Sequence, residues 1–312
     1  MIRCGLRLAV VVASLVLVES HVSNIWEATA FHGMLSMVEV QPEPIILKYH
    51  KGPLLKGNVT VHINWYGNFT PTHRSIVVDF IKSLSSTRHR PSPLLWWRIT
   101  ARYRGGPRTL TVGNQTLHHT YSFGKSLKTR DLLALASKNA ITTHGNAIHV
   151  VLTSDDVAVE GFCMSRCGAH GSARLQKERV LFAWVGNPVT QCPGECAWPF
   201  HQPLYGPQTP PLLPPNGHVG VDGMLISLAT VLAGAVTNPF GNGYYQGSAM
   251  APLEAVSACA GIFGKGAYPG YTGDVLVDNI TGASYNAVGV HGRKFLLPAM
   301  WDPVTSTCKT LV

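Results

Sequence analysis

The chain has 312 residues, of which 46% are hydrophobic and only 13% are charged, and its formal net charge is +9. This low charge density predicts a compact globule, built as one large domain or two closely packed lobes, because a chain of this length buries roughly three quarters of its unfolded surface. The basic balance alone does not identify a nucleic-acid-binding protein, since it equally suits an acidic polysaccharide or simply maintains solubility.

The first predicted element is a signal peptide, assigned to residues 1–20. Two arginines precede the uncharged run LAVVVASLVLV, which is followed by polar residues. That run is too short to cross a bilayer, which needs roughly 20 apolar residues, and no membrane span is predicted elsewhere. We therefore expect a protein secreted to the extracellular space, with residues 21–44 as a leader arm and residues 45–312 as a single domain. Export removes nucleic acid as a partner and makes acidic polysaccharide such as pectin the expected polyanion.

Hydrophobic periodicity then predicts strands interleaved with helices. Alternating apolar and polar residues indicate strands, whereas apolar residues spaced by three or four indicate helices. In chain order we predict strands at 46–50 and 59–67, helices at 72–84, 93–104 and 130–139, strands at 146–154 and 180–186, and an apolar helix at 221–236. The seven prolines between Pro199 and Pro215 exclude a helix or a central strand there. The pattern indicates an α/β or α+β domain with a mixed sheet and flanking helices.

The cysteines predict three disulfides. Of seven cysteines, Cys4 lies in the signal peptide, which leaves an even set of six for an oxidising compartment. Their two C-x-x-x-C motifs lack the two-residue spacing of zinc ribbons and thioredoxin-type redox pairs. Six cysteines allow 15 connectivities. We favour a nested arrangement across strand 180–186, with pairs Cys163–Cys196, Cys167–Cys192 and Cys259–Cys308.

Four sequons mark candidate N-glycosylation sites. They are Asn58 in NVT, Asn68 in NFT, Asn114 in NQT and Asn279 in NIT. Export gives such asparagines access to the glycosylation machinery, so several of them should lie on the surface. Asn68 is the weakest of the four because Pro71 follows its threonine.

Longer motifs carry a family resemblance. In chain order they are YHKGPLLKGNVTVHINWYG, DVAVEGFCMSRCGAHG, AWVGNPVTQCPGECAWPFHQPLYGPQ, NPFGNGYYQG, GKGAYPGYTGDVLVD and RKFLLPAMWDPVTSTC. Together these stretches resemble the EXORDIUM, or phosphate-induced protein, family of plants over nearly the whole mature chain. The resemblance implies a secreted, apoplastic cell-wall protein associated with brassinosteroid-dependent growth and cell expansion. It implies no particular reaction.

The helix at 221–236 and the TNPFGNGYY that follows distantly resemble the active-site region of metzincin-like zinc peptidases. In those enzymes an H-E-x-x-H motif supplies two zinc ligands and a general base. Aligning the sequence on Thr237 to Pro239 places Thr230 and Gly234 at the ligand positions and Val231 at the base. None of these side chains performs those roles, so the prediction is a degenerate scaffold without this zinc site.

A second candidate metal set consists of His201, His218 and Asp222. His218 and Asp222 share a helix face if the helix begins early. The alternative is structural, with Asp222 capping the helix and His201 hydrogen-bonded within its proline-rich loop. We expect no cofactor, with zinc as the one candidate.

Three carboxylates, Asp155, Asp156 and Glu160, lie together at the end of a predicted strand, a place where acid and base groups often sit. A glycosidase needs two carboxylates facing one sugar, whereas adjacent residues on an extended chain point in opposite directions. No G-x-S-x-G motif is present, and every mature cysteine has a predicted disulfide partner. No catalytic residue is therefore assigned.

Aromatic side chains provide the remaining hypothesis, because sugars stack on exposed aromatic faces. The candidates are Trp65, Tyr66, Trp96, Trp97, Trp184, Trp198, Tyr244 and Tyr245, most of which should be core residues. We predict a non-enzymatic protein that binds an acidic or neutral wall polysaccharide, a small signal or a secreted protein. The alternative is a wall-modifying hydrolase that uses a metal or carboxylates.

Overall fold

The computed structural model describes residues 44–86, 89–140, 146–175, 178–249 and 251–312. The predicted signal peptide and the leader arm up to residue 43 lie outside the described residues. By their contacts, residues Ile45–Val312 form one compact unit.

Four of the five α-helices of the described residues overlap predicted helices, and the short helix Pro193–Cys196 was not predicted. The five helices are α1 (Pro71–Ser83), α2 (Pro93–Trp97), α3 (Thr129–Ala140), α4 (Pro193–Cys196) and α5 (Val219–Thr237). Three short 3₁₀ turns add Arg98–Arg102, Ser257–Cys259 and Val290–Gly292.

The strands fall into long and very short ones. The longer strands are β2 (Gly57–Tyr66), β3 (Pro107–His118), β5 (Ala147–Thr153), β7 (Gly168–Leu175) and β8 (Glu178–Gly186). The short strands are β1 (Lys48–Tyr49), β4 (Ser126–Leu127), β6 (Ala158–Val159), β9 (Tyr244–Tyr245), β10 (Leu276–Val277), β11 (Ser284–Tyr285), β12 (Ala287–Val288), β13 (Lys294–Phe295), β14 (Met300–Asp302) and β15 (Thr307–Lys309).

The five longer strands form one mixed sheet in the order β3-β2-β5-β8-β7. Strands β3, β2, β5 and β8 are parallel, and the edge strand β7 pairs antiparallel with β8. The predicted mixed sheet with flanking helices is confirmed. The sequence did not predict β3 and β7, which are the two edges of the sheet.

Local signals explain where the helices begin. Thr70 caps α1, with its Oγ1 accepting from the backbone N–H of His73 at 3.1 Å, and Pro71 occupies the first turn. The single helix predicted at 93–104 is only partly right, because α2 tightens into a 3₁₀ turn after Trp97. There the Thr100 hydroxyl donates to the carbonyl of Trp97 at 2.8 Å, a local bond that competes with regular helix.

Two hydrophobic layers cover the sheet. Helices α1 and α5 pack on one face, against alternate β2 residues such as Val61 and Ile63. Helix α3 packs on the other face, near Val151 and Trp184. Helix α5 is long and apolar enough to cross a membrane, but most of it is buried in the fold, as expected of a core helix.

The nested pairing predicted for the first two disulfides is wrong. The structure joins Cys163 to Cys192 and Cys167 to Cys196. Nesting requires both cysteine motifs to continue the antiparallel course of the β7–β8 hairpin. Instead, the first motif turns back, with the Cys163 N–H donating to the carbonyl of Arg166 at 3.2 Å, and the second forms one helical turn, with the Cys196 N–H donating to the carbonyl of Cys192 at 2.9 Å. These turns bring corresponding cysteines together.

The third disulfide joins Cys259 to Cys308, as the sequence predicts. It ties the 3₁₀ turn at Ser257–Cys259 to β15, close to the carboxyl terminus. Between α5 and the terminus the chain is held by short antiparallel strand pairs: β10 with β11, β12 with β13 and β14 with β15.

Candidate functional site

The carboxyl edge of the parallel strands is where ligands bind in open α/β sheets, above all where the chain reverses its direction of strand addition. Here that point lies between β2 and β5, because the chain adds β3 on one side of β2 and then β5 on the other. Helices α1 and α5, which follow β2 and β8, present their amino termini at the same edge. This edge therefore holds most of the polar residues singled out from the sequence.

Asp156 is fixed by three donors at this edge. Its carboxylate accepts from Ser154 Oγ at 2.5 Å and Tyr121 Oη at 2.8 Å, and it lies 2.6 Å from Lys125 Nζ. Partial burial acts to raise its pKa, but the hydrogen bonds from Lys125, Ser154 and Tyr121 prevail and lower the pKa to about 2. Asp156 is therefore ionised at ordinary pH and unsuited to act as a general acid.

Asp155 and Glu160 have other surroundings. The backbone carbonyl of Asp155 accepts from Thr190 Oγ1 at 2.6 Å and Gln191 Nε2 at 2.8 Å. The exposed Glu160 lies at the start of α3, with an Oε2 3.5 Å from the Thr129 backbone nitrogen. Asp155 is thus anchored through its backbone, whereas Asp156 and Glu160 have separate partners for their carboxylates.

Two histidines meet at the amino termini of α1 and α5. The rings of His73 and His218 lie 4.9 Å apart and nearly perpendicular. Burial and the neighbouring His218 lower the pKa of His73, and the negative charge of Asp155 opposes them. This pairing of His73 with His218 was not predicted.

The proposed metal set of His201, His218 and Asp222 does not assemble. His201 is exposed, and its Nδ1 lies 2.9 Å from the carbonyl of the adjacent Gln202. Across the part of the chain that the structure describes, no three His, Cys, Asp or Glu side chains are placed to share a metal ion. His218 and Asp222 do lie at the start of α5, as their spacing suggested, but His201 lies in the proline-rich loop and is exposed to solvent.

Asp222 belongs to a buried polar network. Its carboxylate accepts from the Asn216 backbone N–H at 3.0 Å and from Asn216 Nδ2 at 2.6 Å, and Asn216 Oδ1 accepts from Arg293 Nη1 at 3.1 Å. Burial raises the pKa of Asp222 to about 6, although the Asn216 bonds and the charge of Arg293 act to lower it. Asp222 therefore fixes Asn216 and Arg293 in place.

A polar cavity of about 390 Å³ opens beside this network. Arg293 also donates from Nε to Asp79 at 2.9 Å, and His291 Nδ1 lies 3.3 Å from the other oxygen of Asp79. Lys294 forms an ion pair with Asp278. The lining residues are Pro215, Asn216, Asp278, Thr281, His291, Gly292, Arg293 and Lys294.

The charges of the cavity are internally balanced. The carboxylates of Asp79 and Asp278 are the more buried members of their ion pairs, with side chains 9% and 13% exposed, whereas Arg293 and Lys294 are 26% and 28% exposed. The cavity thus presents a mixture of donors and acceptors with little net charge. Such a lining suits a ligand rich in hydroxyl groups.

Sequence reasoning missed the cavity residues. The available signal was the cationic run HGRK at 291–294, in a chain with few charged residues. Nothing in the sequence connects that run to Asn216 or Asp79, which are far away along the chain.

Most of the aromatic candidates are core residues, as expected. Trp65, Tyr66, Trp96, Trp97 and Trp184 are buried, and Trp198, Tyr244 and Tyr245 are partly buried. The exposed tyrosines are instead Tyr205 and Tyr268, at 83% and 65% exposure. The sequence analysis did not single them out.

All four sequon asparagines, Asn58, Asn68, Asn114 and Asn279, are exposed. Asn279 lies in the turn between the cavity residues Asp278 and Thr281, and Asp278 Oδ1 accepts the backbone N–H groups of Ile280 and Thr281, both at 2.8 Å. Glycosylation of any of the four remains a prediction.

Comparison with known proteins places these features in a family. Residues 47–311 match the model described as the phosphate-induced protein 1 conserved region. Protein EXORDIUM-like 2 of Arabidopsis thaliana is 60% identical over 294 residues, covering 91% of this chain and 95% of that protein. Protein PHOSPHATE-INDUCED 1 of Nicotiana tabacum is 55% identical over 291 residues, covering 89% and 92%.

No solved structure matches the chain. The degenerate metzincin-like scaffold therefore stays a prediction. At its alignment positions, the Thr230 hydroxyl donates to the carbonyl of Ile226 at 2.9 Å, and Gly234 packs closely against His170 and Glu254.

Proposed function

The chain belongs to the EXORDIUM and phosphate-induced protein family, and from that premise we propose that it is a secreted plant cell-wall protein that binds a wall polysaccharide without cleaving it. We further propose, from the family resemblance, that this binding contributes to brassinosteroid-dependent growth and cell expansion.

The cavity beside Asn216 and Arg293 is the observation that supports binding most directly. Its polar groups are held in place by buried Asp222 and Asp79, so a ligand meets a preorganised set of donors and acceptors. Little ordering of side chains would then accompany binding. A sugar, with many hydroxyls that both donate and accept, matches that lining.

The surroundings of Asp155, Asp156 and Glu160 favour binding of a polysaccharide over its hydrolysis by catalytic carboxylates. A glycosidase requires an acid that is protonated at working pH and a second carboxylate across the sugar. Asp156, with a pKa of about 2, is ionised, and its carboxylate is already bonded to Ser154, Tyr121 and Lys125, whereas that of Glu160 lies at the start of α3.

Secretion is supported by the cysteines and the sequons. Six cysteines pair into three disulfides, as is usual in an oxidising compartment, and four exposed sequons are available for glycosylation. Recovery of the protein from the wall fraction with residues 1–20 removed would agree with this. Retention of the full-length chain inside the cell with reduced thiols would contradict it.

Affinity measurements on the secreted protein test the binding proposal. We expect retention by xyloglucan or polygalacturonate, and weakening by about fivefold in His291→Asn, the loss of one or two polar contacts. Asparagine is suitable because it tolerates the positive φ of 58° at this position. His201→Asn is the matched control, since His201 is also exposed but lies outside the cavity.

The outcomes separate binding from cleavage. No retention by any polysaccharide would refute the proposal, and equal effects of the two histidine variants would exclude the cavity as the site. Release of new reducing ends from the polysaccharide would favour a hydrolase. In a plant lacking the protein, His201→Asn should restore growth and His291→Asn should restore it less; equal restoration would disconnect binding from growth.

A further inference from the structure

Exposed apolar side chains concentrate on two loop segments. Among the described residues, thirteen large hydrophobic side chains are exposed, and seven of them lie in segments 204–213 and 268–280. They include Tyr205, Leu213, Tyr268 and Ile280. Such a concentration marks an interaction surface rather than the scattered exposure of an ordinary protein face.

The two segments are fixed against each other. Thr209 Oγ1 donates to the carbonyl of Gly270 at 2.9 Å, and a Cβ at Gly270 would lie 2.6 Å from Pro207, so only glycine admits this close approach. Tyr205 is two residues from Pro207, and Tyr268 is two residues from Gly270, so each tyrosine Cα lies within about 7 Å of this contact point. The Cα atoms of the two tyrosines are therefore no more than about 20 Å apart. The prolines of the first segment limit its backbone freedom.

This surface continues into the cavity. The Ser284 N–H donates to the carbonyl of Leu213 at 2.9 Å, and the Leu213 side chain packs against Gly282. The next residue back along the chain, Thr281, lines the cavity, as does Pro215 at the end of the proline-rich segment. A chain-like ligand could therefore contact both.

The charge of the surface narrows the class of ligand. Residues 199–215 contain no Asp, Glu, Lys or Arg. In the second segment, Asp274 accepts from Tyr271 Oη at 2.6 Å, and Asp278 pairs with Lys294. Neither segment contains Lys or Arg, and the two basic side chains that line the cavity, Arg293 and Lys294, each pair with a carboxylate; the exposed Lys265 lies just before the second segment. The surface therefore offers little cationic charge to a uronic acid, whereas tyrosine faces stack on uncharged sugar rings.

We propose that Tyr205 and Tyr268 are stacking residues for a neutral polysaccharide chain that runs from the cavity across this surface. The inference rests on the proposed function and specifies its ligand class. It disfavours pectin, which the overall basic charge suggested.

Binding of the secreted protein to neutral xyloglucan, with polygalacturonate in parallel, tests the inference. Tyr205→Ala and Tyr268→Ala should each weaken xyloglucan binding about five- to tenfold, the loss of one stacking face. Both side chains are largely exposed, so the fold should be unaffected. Val304→Ala, at an exposed apolar position outside both segments, is the control and should bind as the unsubstituted protein does.

The possible outcomes distinguish failure of this inference from failure of the proposed function. Preference for polygalacturonate, weakened by His291→Asn but not by the tyrosine variants, would overturn the inference and leave the proposed function standing. Failure to bind either polysaccharide would overturn both. A third outcome is that the protein binds no xyloglucan but binds a second purified secreted protein saturably, and that the tyrosine variants abolish this binding. That result would assign the surface to a protein partner and refute the inference.

Discussion

The sheet region, from β2 to the end of α5, and the C-terminal loops, residues 238–312, satisfy their buried backbone in different ways. In the sheet region, long strands and helices provide the hydrogen bonds. In the C-terminal loops, strands of two or three residues leave many backbone N–H and C=O groups without a backbone partner, and individual side chains form hydrogen bonds with them instead. Asn286, fully buried, donates from Nδ2 to the carbonyls of Phe263 and Leu297 and accepts from the Leu297 N–H.

The comparison teaches where stability depends on individual residues. A buried backbone group must be paired, whichever partner it finds. In the sheet region that pairing is shared among many residues, so a surface substitution costs little. In the C-terminal loops one asparagine or one disulfide serves several backbone segments.

The largest expected effect comes from the disulfides. Replacing Cys259 and Cys308 together by serine should lower the free energy of unfolding by about 4 kcal/mol, because the bridge closes a loop with a separation of 49 residues. Removing the Cys163–Cys192 bridge in the same way should cost about 1 kcal/mol, because Cys167–Cys196 still closes nearly the same loop. Urea unfolding measures both, and equal losses would contradict this contrast.

Asn286→Ala should be next, at about 3 kcal/mol in urea unfolding, since it leaves buried backbone groups of Phe263 and Leu297 without partners. The control in the sheet region is Asn146→Ala. Asn146 is exposed and makes one side-chain bond, to the carbonyl of Lys56 at 2.8 Å, so its loss should cost below about 1 kcal/mol. If the two variants were equally stable, the distinction between the regions would fail.

The sheet region has its own weak point in acid. His149 is buried and stacked 5.1 Å from His62, and burial together with His62 lowers the pKa of His149 to about 4. Because His149 binds a proton more readily in the unfolded chain than in the folded protein, acid favours unfolding. The contribution of neutral His149 to the free energy of unfolding is therefore fully present above pH 6.5 and is lost as the pH falls towards 4. The loss should reach about 3 kcal/mol near pH 4.

His149→Phe isolates this term, measured as the stability difference from the unsubstituted protein between pH 6.5 and 4. Asp222 acts in the opposite direction, because its raised pKa of about 6 adds stability as the pH falls from 6 towards 3.8. Because His149→Phe lacks the contribution that acid removes, its stability relative to the unsubstituted protein should rise as the pH falls from 6.5 to 4. The exposed control His201→Asn should show no such trend. A pH-independent difference for His149→Phe would disprove the assignment.

The smallest effect concerns the junction of the two regions. His170 on β7 and Glu254 in the loops lie 2.7 Å apart, and Asn238 Nδ2 donates to the other oxygen of Glu254 at 2.7 Å. A Cβ at Gly234 would lie about 2.5 Å from both His170 and Glu254. Gly234→Ala should cost about 1–2 kcal/mol by displacing them. Thermal unfolding should show it, and an unchanged midpoint would mean that the pair adapts freely.

The sequence predicted the central elements well because burial is written in their periodicity. Strands β2, β5 and β8 are apolar on both faces or alternate clearly. Helix α1 carries helical spacing and the Thr70 cap, α3 carries helical spacing, and α5 is apolar along most of its length. The edge strands β3 and β7 were missed for the converse reason. Each has one free side, contains glycine and shows weak alternation, and Gly113 of β3 is required because the His62 ring packs against it.

The sequence by itself determined the family, the mixed fold, the even set of cysteines and the surface position of the sequons, since each depends on residue identity or local spacing. Only the tertiary structure decided the partners of the first two disulfides, the separation of His201 from Asp222, and the network that unites Asp79, Asn216 and Arg293. These depend on how turns orient segments distant in the chain. Local spacing does not encode that orientation, because it results from packing the helices and loops onto one sheet.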